Sequence, residues 1–117
     1  MASGDTRTLI RQAIEGLTRE VPALGGLKLV VRLELRARGP DVPIWRVEVP
    51  GPKIDRDPAG DARIDISVAR PDFNELVADG RLEHWVDAYE RGQVRVTGDA
   101  AVVKLLGSVV QRQLARR

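Results

Sequence analysis

The sequence predicts a single α+β domain in which helices cover a mostly antiparallel sheet. The chain has 117 residues, which is the size of one ordinary domain. Apolar residues repeat at helical spacing near both ends of the chain, whereas its centre alternates apolar and polar residues as half-buried strands do. Because 43% of residues are hydrophobic and only 3% aromatic, we expect a core of Val, Leu, Ile and Ala.

Alternation of apolar and polar residues predicts five strands, over residues 29–37, 44–49, 53–57, 63–68 and 93–97. The first two strands flank the turn signal Gly39-Pro40-Asp41, so we expect an antiparallel hairpin with Arg–Glu pairs across its polar face. Pro50-Gly51-Pro52 is the next turn, and residues 53–57 are expected to form a short edge strand.

Helical periodicity predicts helices over residues 6–17, from Pro71 to a stop at Gly80, over residues 81–91, and from the N-cap Asp99 to Ala115. In the last helix the polar residues form one narrow stripe, and apolar residues cover half or more of the circumference. Such a helix either packs flat across the sheet or has part of its apolar surface facing a ligand cavity. Composition does not distinguish these two interpretations.

Charge and reactive side chains exclude several function classes. The 19 basic and 17 acidic residues are interspersed, which disfavours nucleic-acid binding. The absence of cysteine excludes disulfides and thiol chemistry. The single histidine, His84, is expected on the surface, and Ser108 after Gly107 lies in a helical pattern rather than at a strand-to-helix elbow. We therefore expect no enzyme activity, metal or cofactor.

Two further patterns concern ions and location. Asp55, Asp57, Gly60 and Asp61 partly match a calcium loop, but two ligand positions are missing, so we interpret the segment as a polar turn. The sequence begins without a secretory h-region, and no apolar run reaches the roughly 18 residues of a membrane span. A cytoplasmic protein with at most transient membrane contact is expected.

Two motifs in the second half resemble the sterol carrier protein 2 (SCP-2) domain family. The strand in residues 62–68, followed by Pro71-Asp-Phe-Asn-Glu-Leu76 and Gly80, is similar to the family's strand and "D-[FL]-x-x-L-x-x-G" helix. Residues 92–99, Gly-Gln-Val-Arg-Val-Thr-Gly-Asp, resemble its "G-K-[LIV]-x-[LIV]-x-G-D" strand, with Gln93 in place of Lys. The order of the predicted elements agrees as well, so the resemblance extends over about residues 9–114 of a single SCP-2-like domain of residues 1–117.

The resemblance implies a five-stranded sheet covered by helices, with a hydrophobic tunnel that binds sterols, fatty acyl groups, isoprenoids or other lipids without catalysis. Carried over by element, it implies ligand contacts at eleven apolar positions, which are Leu33, Leu35, Trp45, Val47, Phe73, Leu76, Trp85, Val86, Leu105, Leu106 and Val109. Because aromatic residues are scarce, a flexible acyl or isoprenoid chain suits the aliphatic walls of such a tunnel at least as well as a rigid sterol does.

Two alternatives to a lipid carrier stay open at this point. The same fold with a filled core could serve as a protein-interaction module, which would act as a homodimer or bind a partner enzyme through the apolar surface of the last helix. A weaker alternative is an enzyme for an apolar substrate, for which the sequence offers no nucleophile or base.

Overall fold

The computed structural model of the chain describes residues 3–37 and 43–116. Within them the helices are α1 (Ser3–Glu20), α2 (Arg70–Asp79), α3 (Leu82–Glu90), α4 (Ala100–Ala115) and a short 3-10 helix (Pro22–Gly26). The strands are β1 (Leu29–Arg36), β2 (Ile44–Val49), β3 (Lys53–Arg56), β4 (Ile64–Ala69) and β5 (Val94–Gly98). The predicted helices and strands are confirmed within a few residues; the predicted turn Gly39-Pro40-Asp41 lies outside the described residues.

The strands form one sheet in the order β3-β2-β1-β4-β5. β1 and β4 are parallel and all other neighbours antiparallel, which confirms the predicted mostly antiparallel sheet and its edge strand β3. The predicted Arg–Glu pairs across the hairpin are wrong, because the register places Arg32 opposite Arg46. Arg46 instead pairs with Glu48 of its own strand and with Asp61 of the loop between β3 and β4.

One face of the sheet is apolar and the other is polar, because side chains alternate along every strand. In the described part of the chain the helices pack on the apolar face, and the polar face is turned to solvent, as is common for antiparallel sheets. The apolar face consists of Leu29, Val31, Leu33, Leu35, Trp45, Val47, Val49, Ile54, Ile64, Ile66, Val68, Val94 and Val96.

Two glycines terminate elements as their backbone conformation requires. Gly80 ends α2 with φ 73°, and its N–H donates to the carbonyl of Leu76. Gly98 has φ 126°, and a Cβ at this position would lie 2.5 Å from the carbonyl oxygen of Arg63, so no other residue fits. The chain therefore passes close against β4 immediately before α4 begins.

Asp99 fixes the start of α4 as an N-cap. Its carboxylate accepts hydrogen bonds from the amides of Ala101 and Val102 at 2.9 and 3.3 Å, as predicted for this residue. Its second oxygen accepts a 2.8 Å hydrogen bond from the Arg63 guanidinium next to β4.

The described part of the chain contains no helix with the length and apolar content that crossing a membrane requires.

Candidate ligand-binding cavity

The helices cover the apolar face of the sheet unevenly. Over one part, which we call the packed half, α1 and α2 lie directly against the strands. Each side chain of this half is less than 10% exposed, and the set comprises Ile10, Ala13, Leu33, Leu35, Trp45, Val47, Val68, Phe73 and Leu76. The guanidinium groups of Arg7 and Arg56 lie 5.9 and 5.5 Å from the ring centre of Trp45. This half is the main buried core of the domain.

Over the other part, the cavity half, a cavity of about 310 Å³ separates the sheet from α3, α4 and the end of α1. Its floor consists of sheet side chains from four strands, namely Leu29, Val31, Val49, Ile64, Ile66, Val94 and Val96. Its walls come from the helices, the 3-10 region and one turn, namely Ile14, Leu17, Thr18, Leu24, Leu27, Pro50, Leu82, Trp85, Val86, Tyr89, Val103, Leu106, Gly107, Val110 and Gln111.

The cavity wall is almost entirely apolar and, apart from the aromatic side chains of Trp85 and Tyr89, mostly aliphatic. The hydroxyl of Thr18 is occupied, since it donates to the carbonyl of Ile14 at 2.8 Å. Tyr89 and Gln111 are exposed and belong to the rim rather than to the interior. Because a bound water needs several polar partners, a wall with so few polar groups suits an apolar occupant better than water.

Small residues on α4 leave this space open. Gly107 lies in the middle of the helix at the exposed rim of the cavity, and a Cβ built there would meet no atom within 4 Å. Glycine inside a helix costs about 0.5–1 kcal/mol relative to alanine, so its position next to the cavity needs a reason. Val103 and Val110 fill less volume than leucine or phenylalanine would. Of the residues in α4, Val109 alone is buried. The helix thus covers the space without filling it.

Charged groups lie outside the cavity. None of the described lining residues is Asp, Glu, Lys, Arg or His. His84 is exposed and pairs with Asp79 through Nδ1, which confirms the predicted surface histidine. The pKa of the Asp99 carboxyl is lowered, chiefly by the hydrogen bond from Arg63 and then by those from the amides of Val102 and Ala101. Among the residues with described side chains, no three metal-ligating groups come together. The cavity therefore has the chemistry of a binding site for an apolar molecule.

Similarity to known proteins is found in structure rather than in sequence. No protein-family model matches the chain, and no curated protein matches it. A crystal structure of sterol carrier protein 2 like 2 from Aedes aegypti matches with a TM-score of 0.58 and 22% identity, over 89% of this chain and 98% of that chain. The solution structure of the palmitated form of that protein matches with a TM-score of 0.59 and 20% identity, over 86% of this chain and 93% of that chain.

A third solved structure, of the UbiJ-SCP2 ubiquinone synthesis protein, matches with a TM-score of 0.51 and 19% identity over 92% of this chain and 98% of that chain. These alignments extend over nearly the whole length of both partners. The chain has the SCP-2 fold. This confirms the fold class predicted from the strand-to-helix motifs that end at Gly80 and Asp99.

Within this SCP-2 fold, the eleven predicted ligand contacts lie in four different places. Trp85, Val86 and Leu106 line the cavity. Leu33, Leu35, Trp45, Val47, Phe73 and Leu76 belong to the packed half. Val109 is buried against Val21 and Leu82 in a second small core, and Leu105 is 45% exposed on the outer side of α4. As contacts to a ligand, all eleven remain predictions.

Sequence reasoning missed most of the cavity floor and the 3-10 region. The lining residues Leu27, Leu29 and Ile66 have the same alternation and composition as residues of the packed half, so the pattern could not separate them. One signal was available in the sequence. A glycine in the interior of an apolar helix, here Gly107, marks a place where space or close approach matters.

Proposed function

We propose that this protein binds and carries an apolar molecule with a long flexible chain, such as a fatty acyl or isoprenoid compound, in its cavity, without catalysing a reaction. The observation that carries the proposal is the aliphatic cavity of about 310 Å³ between the sheet and α4. Two structural neighbours support it, because one is described as palmitated and the other as a ubiquinone synthesis protein.

Energetics favour a long chain over a small apolar molecule. Each buried methylene group contributes about 0.8 kcal/mol, and association costs at least about 4 kcal/mol. A ligand with fewer than about ten buried methylene groups would therefore bind no more tightly than about 1 mM. Because the wall offers no charged partner, a polar head group would remain at the rim, where Tyr89 and Gln111 lie.

A matched pair of substitutions on α4 tests this proposal. Val103→Trp places a large ring in the cavity, whereas Leu105→Trp adds the same ring two residues away on the outer side of the helix. Native mass spectrometry of the purified protein should show a bound lipid, and titration with a fluorescent fatty acid should saturate. Val103→Trp should weaken that binding by at least about tenfold, a loss of about 1.4 kcal/mol.

The control defines what would contradict the proposal. Leu105→Trp should bind the fluorescent fatty acid as the unsubstituted protein does. A wild-type protein that carries no lipid and binds no fatty acid would refute the carrier function. Equal affinity in both tryptophan variants would refute the assignment of this cavity as the site.

The alternative of a protein-interaction module with a filled core has weaker support. It requires a close-packed interior, whereas the cavity half is open. Leu106 lines the cavity rather than the outer surface, so Leu106→Arg would disturb ligand binding and not only a dimer interface. Light scattering of the unsubstituted protein is the direct test, since a dimer that survives removal of all lipid would favour this alternative.

A further inference from the structure

We propose that two copies of this chain pair through β5, so that their two sheets join edge to edge into one. β5 (Val94–Gly98) is the last strand in the order of the sheet and hydrogen-bonds to β4 on one side only. This inference goes beyond the carrier function and does not depend on it, because it concerns the edge of the sheet and not the cavity.

The backbone of β5 faces β4 and the open side in alternation. The Asp99 amide donates to the Arg63 carbonyl at 2.9 Å, so Asp99 faces β4. Because successive residues of a strand direct their N–H and C=O groups to opposite sides, the outward-facing residues of β5 are Val94, Val96 and Gly98. Their outward groups form no hydrogen bond to any described residue. Such a row of unpaired backbone groups is a template for another strand.

The two edges of the sheet differ in their protection against pairing. β3, at the other edge, has only four residues, begins with Lys53 and follows Pro50 and Pro52. A short strand, a lysine and prolines are devices by which proteins keep an edge from pairing. The five residues of β5 include neither lysine nor proline, and their two valines and one threonine favour a strand. β5 is therefore the edge that is open to a partner.

The sequence of β5 is complementary to itself in an antiparallel register. When all five residues pair, Val96 lies opposite Val96 of the second copy, and Val94 lies opposite Gly98, which has no side chain to crowd it. On the polar face Arg95 lies opposite Thr97, so no like charges are directly opposed. The outward groups of the two strands then meet and form about six hydrogen bonds. This self-complementarity favours a second copy of the chain as the occupant of the edge.

The helices that precede and follow β5 extend this complementarity. α3 ends just before β5 and α4 begins just after it, so antiparallel pairing brings the end of α3 to the start of α4 of the second copy. Tyr89 and Leu105, the most exposed large hydrophobic residues among those described, lie in these two regions with 51% and 45% exposure. Glu90 and Lys104 lie there as well and have opposite charges. These contacts add to the paired strands the area that an interface of at least about 1,000 Å² needs.

A charge placed at the joined edge tests the pairing. Thr97→Arg puts an arginine opposite Arg95 of the second copy at two symmetric positions, whereas within one chain it lies opposite Asp65 and is tolerated. Light scattering should show a wild-type dimer that forms as the concentration is raised. Thr97→Arg should raise the Kd of this dimer by at least about tenfold. Gln12→Arg adds the same charge at an exposed position on α1 and should dimerise as the wild type does.

An exchange of the two residues provides a rescue. Arg95→Thr combined with Thr97→Arg again sets an arginine opposite a threonine, without a change in composition, and should restore the wild-type Kd. Hydrogen exchange followed by NMR reports the strand pairing itself. The amide of Val96 faces outward, so its exchange should slow as the wild-type concentration is raised, but not in Thr97→Arg alone.

Several outcomes would overturn the proposal. One is a wild type that stays monomeric at all concentrations, and another is an exchanged double variant that stays monomeric. A third is a dimer that survives Thr97→Arg, because its interface would then lie elsewhere, such as the apolar surface of α4 that the filled-core alternative requires. Light scattering of the wild type alone reports a dimer of either kind, so the substituted chains decide between the two.

Fatty-acid titration separates this proposal from the carrier function. Thr97 does not line the cavity, so Thr97→Arg should bind the fluorescent fatty acid as the wild type does, which also shows that the variant is folded. A wild-type dimer that binds no fatty acid would refute only the carrier function. A wild-type monomer that binds fatty acid would refute only the pairing through β5.

Discussion

The packed half and the cavity half lie on the same face of one sheet and consist of the same kinds of residue, yet only one of them is filled. β1 passes through both, with Leu35 fully buried in the packed half and Leu29 at the cavity floor. What differs is the cover. α2 contributes the buried side chains of Phe73 and Leu76 to the packed half, whereas α4 presents Leu106, two valines and Gly107 to the cavity half.

Trp85 marks the boundary between the two halves. Its ring packs edge-on against Phe73 of the packed half with 6.1 Å between ring centres, and it also lines the cavity. If helices covered the whole apolar face as closely as they cover the packed half, the interior would be filled and would have no room for a ligand. The buried core and the open cavity therefore occupy different parts of one hydrophobic face.

Truncation in the packed half should lower stability more than any change to the cavity half. Leu35 is 0% exposed, so Leu35→Ala removes close contacts and leaves a new cavity. We expect the free energy of unfolding, measured with urea, to fall by about 2–5 kcal/mol. Fatty-acid binding by the molecules that remain folded should be unchanged.

Leu29→Ala is the matched substitution on the same strand. Leu29 is only half-buried and already borders empty space, so we expect a loss below about 2 kcal/mol together with weaker fatty-acid binding. If the two alanine variants lost equal stability and equal affinity, the division of the sheet into two halves would be wrong.

Ligand should stabilise the protein through the cavity half alone. A fatty acid at about 100 times its Kd raises the free energy of unfolding by about 2.7 kcal/mol when it binds only the folded state. Leu35→Ala should show the same increment from a lower starting value, because its site is intact. Val103→Trp should show little or none. Thermal unfolding with and without fatty acid measures this increment in the wild type and in both variants. If Val103→Trp showed the same increment as the wild type, the ligand would bind elsewhere.

The fold was accessible from the sequence because its signals are local. The alternation in β1 and β2, the stop at Gly80 and the N-cap Asp99 each depend on a few neighbouring residues, and the structure confirms them. The prediction of Arg–Glu pairs across the hairpin was wrong because the register of β1 against β2 decides which residues face each other. A shift of one residue changes every opposing pair.

The site was less accessible because it is set by how far the helices stand from the sheet. Leu33 and Ile66 are opposite each other across β1 and β4, yet only Ile66 lines the cavity. No periodicity separates two such residues. Trp45 illustrates the reverse case, since a large aromatic residue was an attractive ligand contact but is 1% exposed and belongs to the packed half.

The smallest predicted effect concerns the Arg63–Asp99 ion pair at the start of α4, the helix that covers the cavity half. Because Arg63 and the helix amides lower the pKa of Asp99 in the folded state, their contribution to stability is present at neutral pH. This contribution is lost as the pH falls below the ordinary pKa of an Asp carboxyl, about 3.9, and then through the lowered pKa of the folded state. Asp99→Asn can still cap the helix but cannot pair with Arg63. Urea unfolding should therefore find the Asp99→Asn variant less stable than the wild type at pH 7. This difference in stability should shrink as the pH is lowered. A difference that stayed constant to low pH would show that the ion pair contributes nothing.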